Sequence, residues 1–171
     1  LAGNDMTMAG NTANTSLNTT LTSGAASGTV TFDAEDANQT IGLGIYNFHN
    51  LSFTLSEGTA TRTKSFTNGS IISVGGNFSM SNTNGSSSLI HIVNFGNNSI
   101  SGPAANFTLN PFCQINTSHA TFSTAIIDNF LGTKSLDPTS TVYYSLNGAQ
   151  AIADGFIYGN IALNAGSKTA E

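Results

Sequence analysis

The sequence predicts an all-β fold: a single-domain antiparallel β-sandwich or jelly roll of about ten short strands behind an extended N-terminal arm. Three observations carry this. Short runs alternate apolar with polar residues, Asn-Gly pairs punctuate them, and helical periodicity is nearly absent. In chain order, Val30 and Phe32 alternate with threonines, and residues 41–48 follow. Leu51, Phe53 and Leu55 alternate in "LSFTLS", then residues 59–66 and 70–74. Phe78 and Met80 alternate in "NFSMS", and Ile90 and Ile92 lie in "SLIHIVNF". Residues 106–109, 119–127, 141–146 and 155–163 complete the set. Asn68-Gly69, Asn84-Gly85 and Asn147-Gly148 reach positive φ at little cost, and between apolar runs they read as hairpin turns. One helical turn is expected at residues 123–131, where Ile126, Ile127, Phe130 and Leu131 follow a 3–4 spacing before Gly132.

Residues 1–27 read as an arm and linker, and residues 28–171 as the sandwich domain. In the arm, Ala13, Leu17 and Leu21 share one parity of an extended chain, and Met6 and Met8 the other. This thin apolar face is separated from the body by the flexible "SGAASG". It fits a tail, a first strand of the domain, or an arm that pairs with another molecule.

Charge is scarce: 8% of residues are Asp, Glu, Lys or Arg, against about 25% in an ordinary soluble domain. Arg62, Lys64, Lys134 and Lys168 are outnumbered by carboxylates, for a net charge of -5. A surface that tracks phosphates has nothing to be built from, which excludes nucleic acid as a partner. Hydroxyls, amides and sugars are left to keep the surface wet, which suits an acidic or otherwise harsh exterior. Cys113 is alone, so it makes no intramolecular disulfide and reads as a small buried hydrophobe. No apolar run reaches the length of a membrane span, and a chain opening on Leu1 is expected to have lost an export signal.

The motif that recurs is N-x-[ST], the acceptor pattern for N-glycosylation. It occurs at Asn14, Asn18, Asn38, Asn50, Asn68, Asn77, Asn84, Asn97, Asn106 and Asn116, about twice the number that chance places in such a composition. Two readings stand: N-linked glycans on an exported surface, or accidents of an Asn/Ser/Thr-rich chain. All ten precede residue 120, which leaves residues 121–171 either more buried or in contact with another subunit.

No enzyme and no cofactor are expected. His49, His91 and His119 are scattered, and neither a G-x-S-x-G elbow, an H-E-x-x-H helix nor a P-loop is present. Asp33, Glu35 and Asp36 in "TFDAEDANQT" come nearest to a metal site. They lack the spacing of a calcium loop and read as a solvated turn. Lys64 and Lys168 are the candidates for a crosslink from lysine to an Asn or Asp side chain, a reaction that needs a dry core; both read instead as surface or tail lysines.

The arm "MTMAGNTANTSLNTTLTSG" at residues 6–24, the linker at residues 23–28 and the ten acceptor sites together resemble the subunits of archaeal extracellular filaments, the threads and bundling pili. That resemblance implies a sandwich whose N-terminal strand completes the sheet of its neighbour. Met6, Met8, Ala13, Leu17 and Leu21 would be the donor contacts, and the product a glycosylated head-to-tail homopolymer on the cell surface for adhesion or cell–cell contact. The chain lacks the long apolar helix of type IV pilins and archaeal flagellins and the paired cysteines of chaperone-usher pilins. Strand donation also has independent physical sense, since it covers an exposed edge and groove and propagates without closing. Two alternatives share the composition: a monomeric adhesive or carbohydrate-binding sandwich, and a capsid or surface-layer jelly roll.

Overall fold

The computed structural model describes residues 6–8, 21–22, 28–33, 37–56, 59–102, 106–121, 130–154 and 157–170. The expectation of an all-β chain holds, but the antiparallel sandwich does not. Every strand pair is parallel, and the chain winds as a β-solenoid. One sheet stacks β1 (Met6–Met8), β3 (Thr29–Phe32), β6 (Asn50–Leu55), β9 (Asn77–Asn82), β12 (Asn106–Leu109) and β14 (Lys134–Leu136). A second stacks β4 (Gln39–Ile41), β7 (Arg62–Phe66), β10 (His91–Gly96), β13 (Cys113–Thr117), β15 (Thr141–Tyr144) and β17 (Asn160–Leu163). A third contains β2 (Leu21–Thr22), β5 (Ile45–Phe48), β8 (Ile71–Val74) and β11 (Ile100–Ser101), and a fourth pairs β16 (Gln150–Ile152) with β18 (Lys168–Ala170).

Parallel neighbours need a long connection between them. Here the other sides of each coil supply it, so neighbouring strands of one sheet come from successive coils; the third sheet ends at β11 and the first at β14, and β15 to β18 lie in the second and fourth. Phe53 pairs with Met80, and Met80 with Leu109.

The alternation read from the sequence is real, and it has a different cause. In β6 and β9 every second residue is buried, because successive side chains point to opposite faces. The buried set fills the solenoid lumen. Register places like on like: Val30, Leu51, Phe78 and Phe107 form one inward row, and Phe32, Phe53, Met80 and Leu109 the next. Phe78 and Phe107 stack with ring centroids 4.9 Å apart, Phe32 and Phe53 at 5.3 Å, and Phe66 and Phe95 at 5.5 Å. Burying these rings is the main source of stability for a rung that could not stand alone.

The Asn-Gly pairs are corners rather than hairpins. Gly69 and Gly85 do take positive φ, at 89° and 73°. Gly69 joins β7 to β8 and Gly85 joins β9 to β10, so each turn leads into a different sheet. β13 and β14 were not anticipated as strands. Most of the expected strand at residues 119–127 and of the expected helical turn at residues 123–131 lies outside the described residues. Phe130, at the end of that stretch, is buried and bridges to Gly102. Cys113 is buried as expected, with its thiol pushed up to about 12 by desolvation. Among the described residues, no helix is long and apolar enough to cross a membrane.

Candidate functional site: polar ladders around a sealed core

The outward face of the first sheet is a lattice of small polar groups. Asn77 Nδ2 donates to Asn50 Oδ1 at 3.3 Å, and Asn106 Nδ2 to Asn77 Oδ1 at 2.8 Å. Backbone groups complete this ladder. The N–H of Asn77 reaches Asn50 Oδ1 at 2.9 Å, and that of Thr133 reaches Asn106 Oδ1 at 2.8 Å. At the other end Asn50 Nδ2 donates to Thr29 Oγ1 at 3.5 Å. Gly76 leaves room for it, since a Cβ there would stand 2.5 Å from Asn50 Oδ1. Beside the ladder runs a hydroxyl row, Thr31, Ser52, Ser79, Thr108 and Ser135, in which Ser79 donates to Ser52 at 3.2 Å.

These rows explain part of the recurring acceptor pattern. A ladder asparagine, an inward apolar residue and an outward hydroxyl residue spell N-x-[ST] at Asn50, Asn77 and Asn106. Thr29-Val30-Thr31-Phe32 is a rung of the same type with Thr in the ladder position, and Thr133-Lys134-Ser135-Leu136 also begins with Thr but has Lys134 in the register position of Phe107.

Other acceptor asparagines serve the corners. Asn38 Oδ1 accepts the N–H of Thr63 at 2.9 Å, and Asn68 Oδ1 accepts that of Asn97 at 3.2 Å; all three asparagines are exposed. Asn98, which the sequence reading passed over, is buried, and its Oδ1 accepts the N–H groups of Gly69 and Ser70 at 2.8 and 3.0 Å. Asn116 Oδ1 accepts from Gln114 at 2.6 Å, and Asn84 follows β9 in a turn. Asn14 and Asn18 lie outside the described residues.

The lumen holds one feature that sequence reasoning misplaced. Lys64, expected at the surface, is 0% exposed. It stands on β7 in register with Gln39 and Val93. Its Nζ donates to the carbonyl of Thr54 at 3.1 Å and lies 3.2 Å from His91 Nε2. His91 Nδ1 lies 3.1 Å from the carbonyl of Ser81. A carbonyl only accepts, so Nδ1 carries the proton and Nε2 receives the lysine. Desolvation, helped by the lysine, pushes His91 down to about 3. Because Thr54 and Ser81 belong to the first sheet or its edge, the pair ties two sheets together from inside. In "RTKSF" alternation with Phe66 was the available signal, and lysine's usual surface preference hid it.

Of the remaining expected site residues, Asp33 is half-buried at the end of β3, and Glu35 and Asp36 lie outside the described residues. No group of three or more His, Cys, Asp or Glu able to hold a metal occurs among the described residues. Met6 and Met8 fall in β1 and Leu21 in β2, both paired within this chain to β3 and β5. Ala13 and Leu17 lie outside the described residues. Lys168 Nζ donates to the carbonyls of Leu146 and Gly148 at 2.8 and 3.2 Å. No family model matches the chain, and searches of curated proteins and of solved structures found no match.

Proposed function

We propose that the chain is a structural, non-enzymatic unit of an extracellular filament, a rod that assembles head to tail and presents an uncharged, glycan-bearing surface for adhesion or cell–cell contact. The supporting observation is the ladder lattice. Asparagine and hydroxyl rows run from rung to rung along the rod, so surface order follows the axis rather than converging on a pocket. A surface wetted by amides and hydroxyls keeps its character as pH or salt changes, which suits exposure outside a cell. The sandwich groove that strand donation requires is absent from a parallel coil; end-on stacking of rungs is the equivalent polymerising contact for a solenoid. Electron microscopy of natively purified protein tests the reading. Regular thin fibres support it, and dispersed particles with affinity for a cell-surface glycan refute it in favour of a monomeric adhesive module.

A further inference from the structure

We infer that Asn38 and Asn97 are the positions at which the folded chain takes N-linked glycans, and that the ladder asparagines Asn50, Asn77 and Asn106 stay bare although they carry the same motif. The inference rests on the glycan-bearing surface proposed above and names the residues that bear the sugar. On a folded chain the motif is usable where a transferase reaches two groups together, the Nδ2 that receives the sugar and the hydroxyl two residues on. Asn38 and Thr40 are both exposed, while Gln39 between them is buried, so the alternation of an extended chain turns the two outward together. Asn38 Oδ1 is held by the N–H of Thr63 at 2.9 Å, which leaves Nδ2, on the other arm of the planar amide, turned away from that bond.

Asn97 repeats the arrangement. Asn97 and Ser99 are exposed on either side of buried Asn98. Asn98 anchors the tripeptide, accepting the N–H groups of Gly69 and Ser70 at 2.8 and 3.0 Å and donating to the carbonyl of Thr67 at 3.1 Å. Both sites are corners: Asn38 leads into β4, and Asn97 lies between β10 and β11, where a bulky substituent meets solvent rather than a neighbouring strand. Asn38 has a further mark in the sequence. Asp36, two residues before it, is a carboxylate at a place where none of the other nine acceptor sites has one, a charge by which a transferase can recognise it.

The ladder offers neither group. Asn50, Asn77 and Asn106 each donate from Nδ2 to the adjoining rung, and the hydroxyl residues two positions on, Ser52, Ser79 and Thr108, are half-buried. Their rungs are also about 4.8 Å apart, closer than sugar rings with their hydroxyls can stack side by side. Asn68 is exposed, but Ser70 is buried and its Oγ donates to the carbonyl of Thr67 at 2.8 Å. Asn84 and Asn116 are themselves half-buried. The donor is a sugar activated as a lipid-linked phosphate ester. A bond forms from Nδ2 to the anomeric carbon, the bond from that carbon to the phosphate oxygen breaks, and the amide proton leaves with the phosphate.

The test uses the full chain, folded and free of sugar, from a host that does not glycosylate. It is treated with a single-subunit oligosaccharyltransferase that reads N-x-[ST] alone and with a lipid-linked oligosaccharide, and the modified peptides are mapped by mass spectrometry. A proteolytic digest of the same chain, treated alike, shows which motifs are accepted once the fold is gone. The expected result is sugar on Asn38 and Asn97 of the folded chain, none on Asn50, Asn77 and Asn106, and sugar on all five in the digest. Thr40→Ala and Ser99→Ala, each shown to be folded by circular dichroism, should each lose one glycan, and Ser79→Ala none. Ladder asparagines modified in the folded chain as readily as Asn38 and Asn97 overturn the inference and leave a glycan-bearing surface standing. A folded chain that takes no sugar at Asn38 and Asn97, while the digest does, overturns the inference alone, since the filament is decided by the fibres seen in electron microscopy.

Discussion

Two substitutions that abolish the same N-x-[ST] pattern separate its structural meaning from its chemical one. Asn77→Ala removes the bond from Asn77 Nδ2 to Asn50 at 3.3 Å and the acceptor that takes Asn106 Nδ2 at 2.8 Å. The backbone bond from Asn77 to Asn50 Oδ1 survives, because it uses the main chain. Two net bonds at about 0.5–1.5 kcal/mol each, on an exposed edge where water replaces part of the loss, give a cost of about 1–2 kcal/mol. For a chain of this length that lowers Tm by roughly 2–8 °C. Ser79→Ala deletes the same acceptor pattern but loses one half-buried hydroxyl contact, Ser79 to Ser52 at 3.2 Å, worth at most about 1 kcal/mol. Thermal unfolding followed by circular dichroism, on protein from a host that does not glycosylate, compares them without any sugar present. The ladder argument predicts a clearly larger loss for Asn77→Ala. Equal losses, or a larger one for Ser79→Ala, would refute it.

Three more outcomes follow from the lumen and corners. His91 is neutral in the fold and pushed down to about 3, while the unfolded chain takes up a proton near its ordinary value of 6.5. Its contribution is therefore intact above about 6.5 and declines as pH falls towards about 3, by roughly 1.4 kcal/mol per unit; urea unfolding at several pH values should show this slope, and His91→Gln should flatten it. Gly96 has φ 57° and its missing Cβ leaves space for the Asn68 side chain, so Gly96→Ala should cost at least about 1–2 kcal/mol in the same assay. Gln150 is buried, its Nε2 donating to the carbonyls of Thr117 and His119 at 3.0 and 2.9 Å and its Oε1 accepting the N–H of Leu146 at 3.2 Å. Gln150→Leu leaves the His119 carbonyl and the Leu146 N–H without these bonds, while the Thr117 carbonyl keeps the N–H of Ser145 at 2.8 Å, and should cost about 2 kcal/mol, read as a drop in the urea midpoint.

The sequence by itself determined much of the inward face, although in "SLIHIVNF" it favoured Ile90 and Ile92 where the structure buries His91, Val93 and Phe95. Alternation in "LSFTLS" and "NFSMS" assigns Leu51, Phe53, Phe78 and Met80 to the core whatever the strand order, because side chains alternate in any extended chain. Asn-Gly at residues 68–69 and 84–85 likewise marked the turns, since positive φ is a local property. What a period of two does not encode is whether the next strand returns antiparallel or arrives a coil later in parallel. That choice rests on contacts between residues 25 to 29 positions apart, such as Thr63 with Asn38 and Asn106 with Asn77. The variable length of the coils blurs the repeat that would have disclosed it. The same cause hid two meanings. Asn50, Asn77 and Asn106 look like independent acceptor sites until stacking makes them one ladder. Lys64 looks like a surface lysine until the second sheet places it beside His91 in the lumen, where hydrogen bonds replace the water it lost.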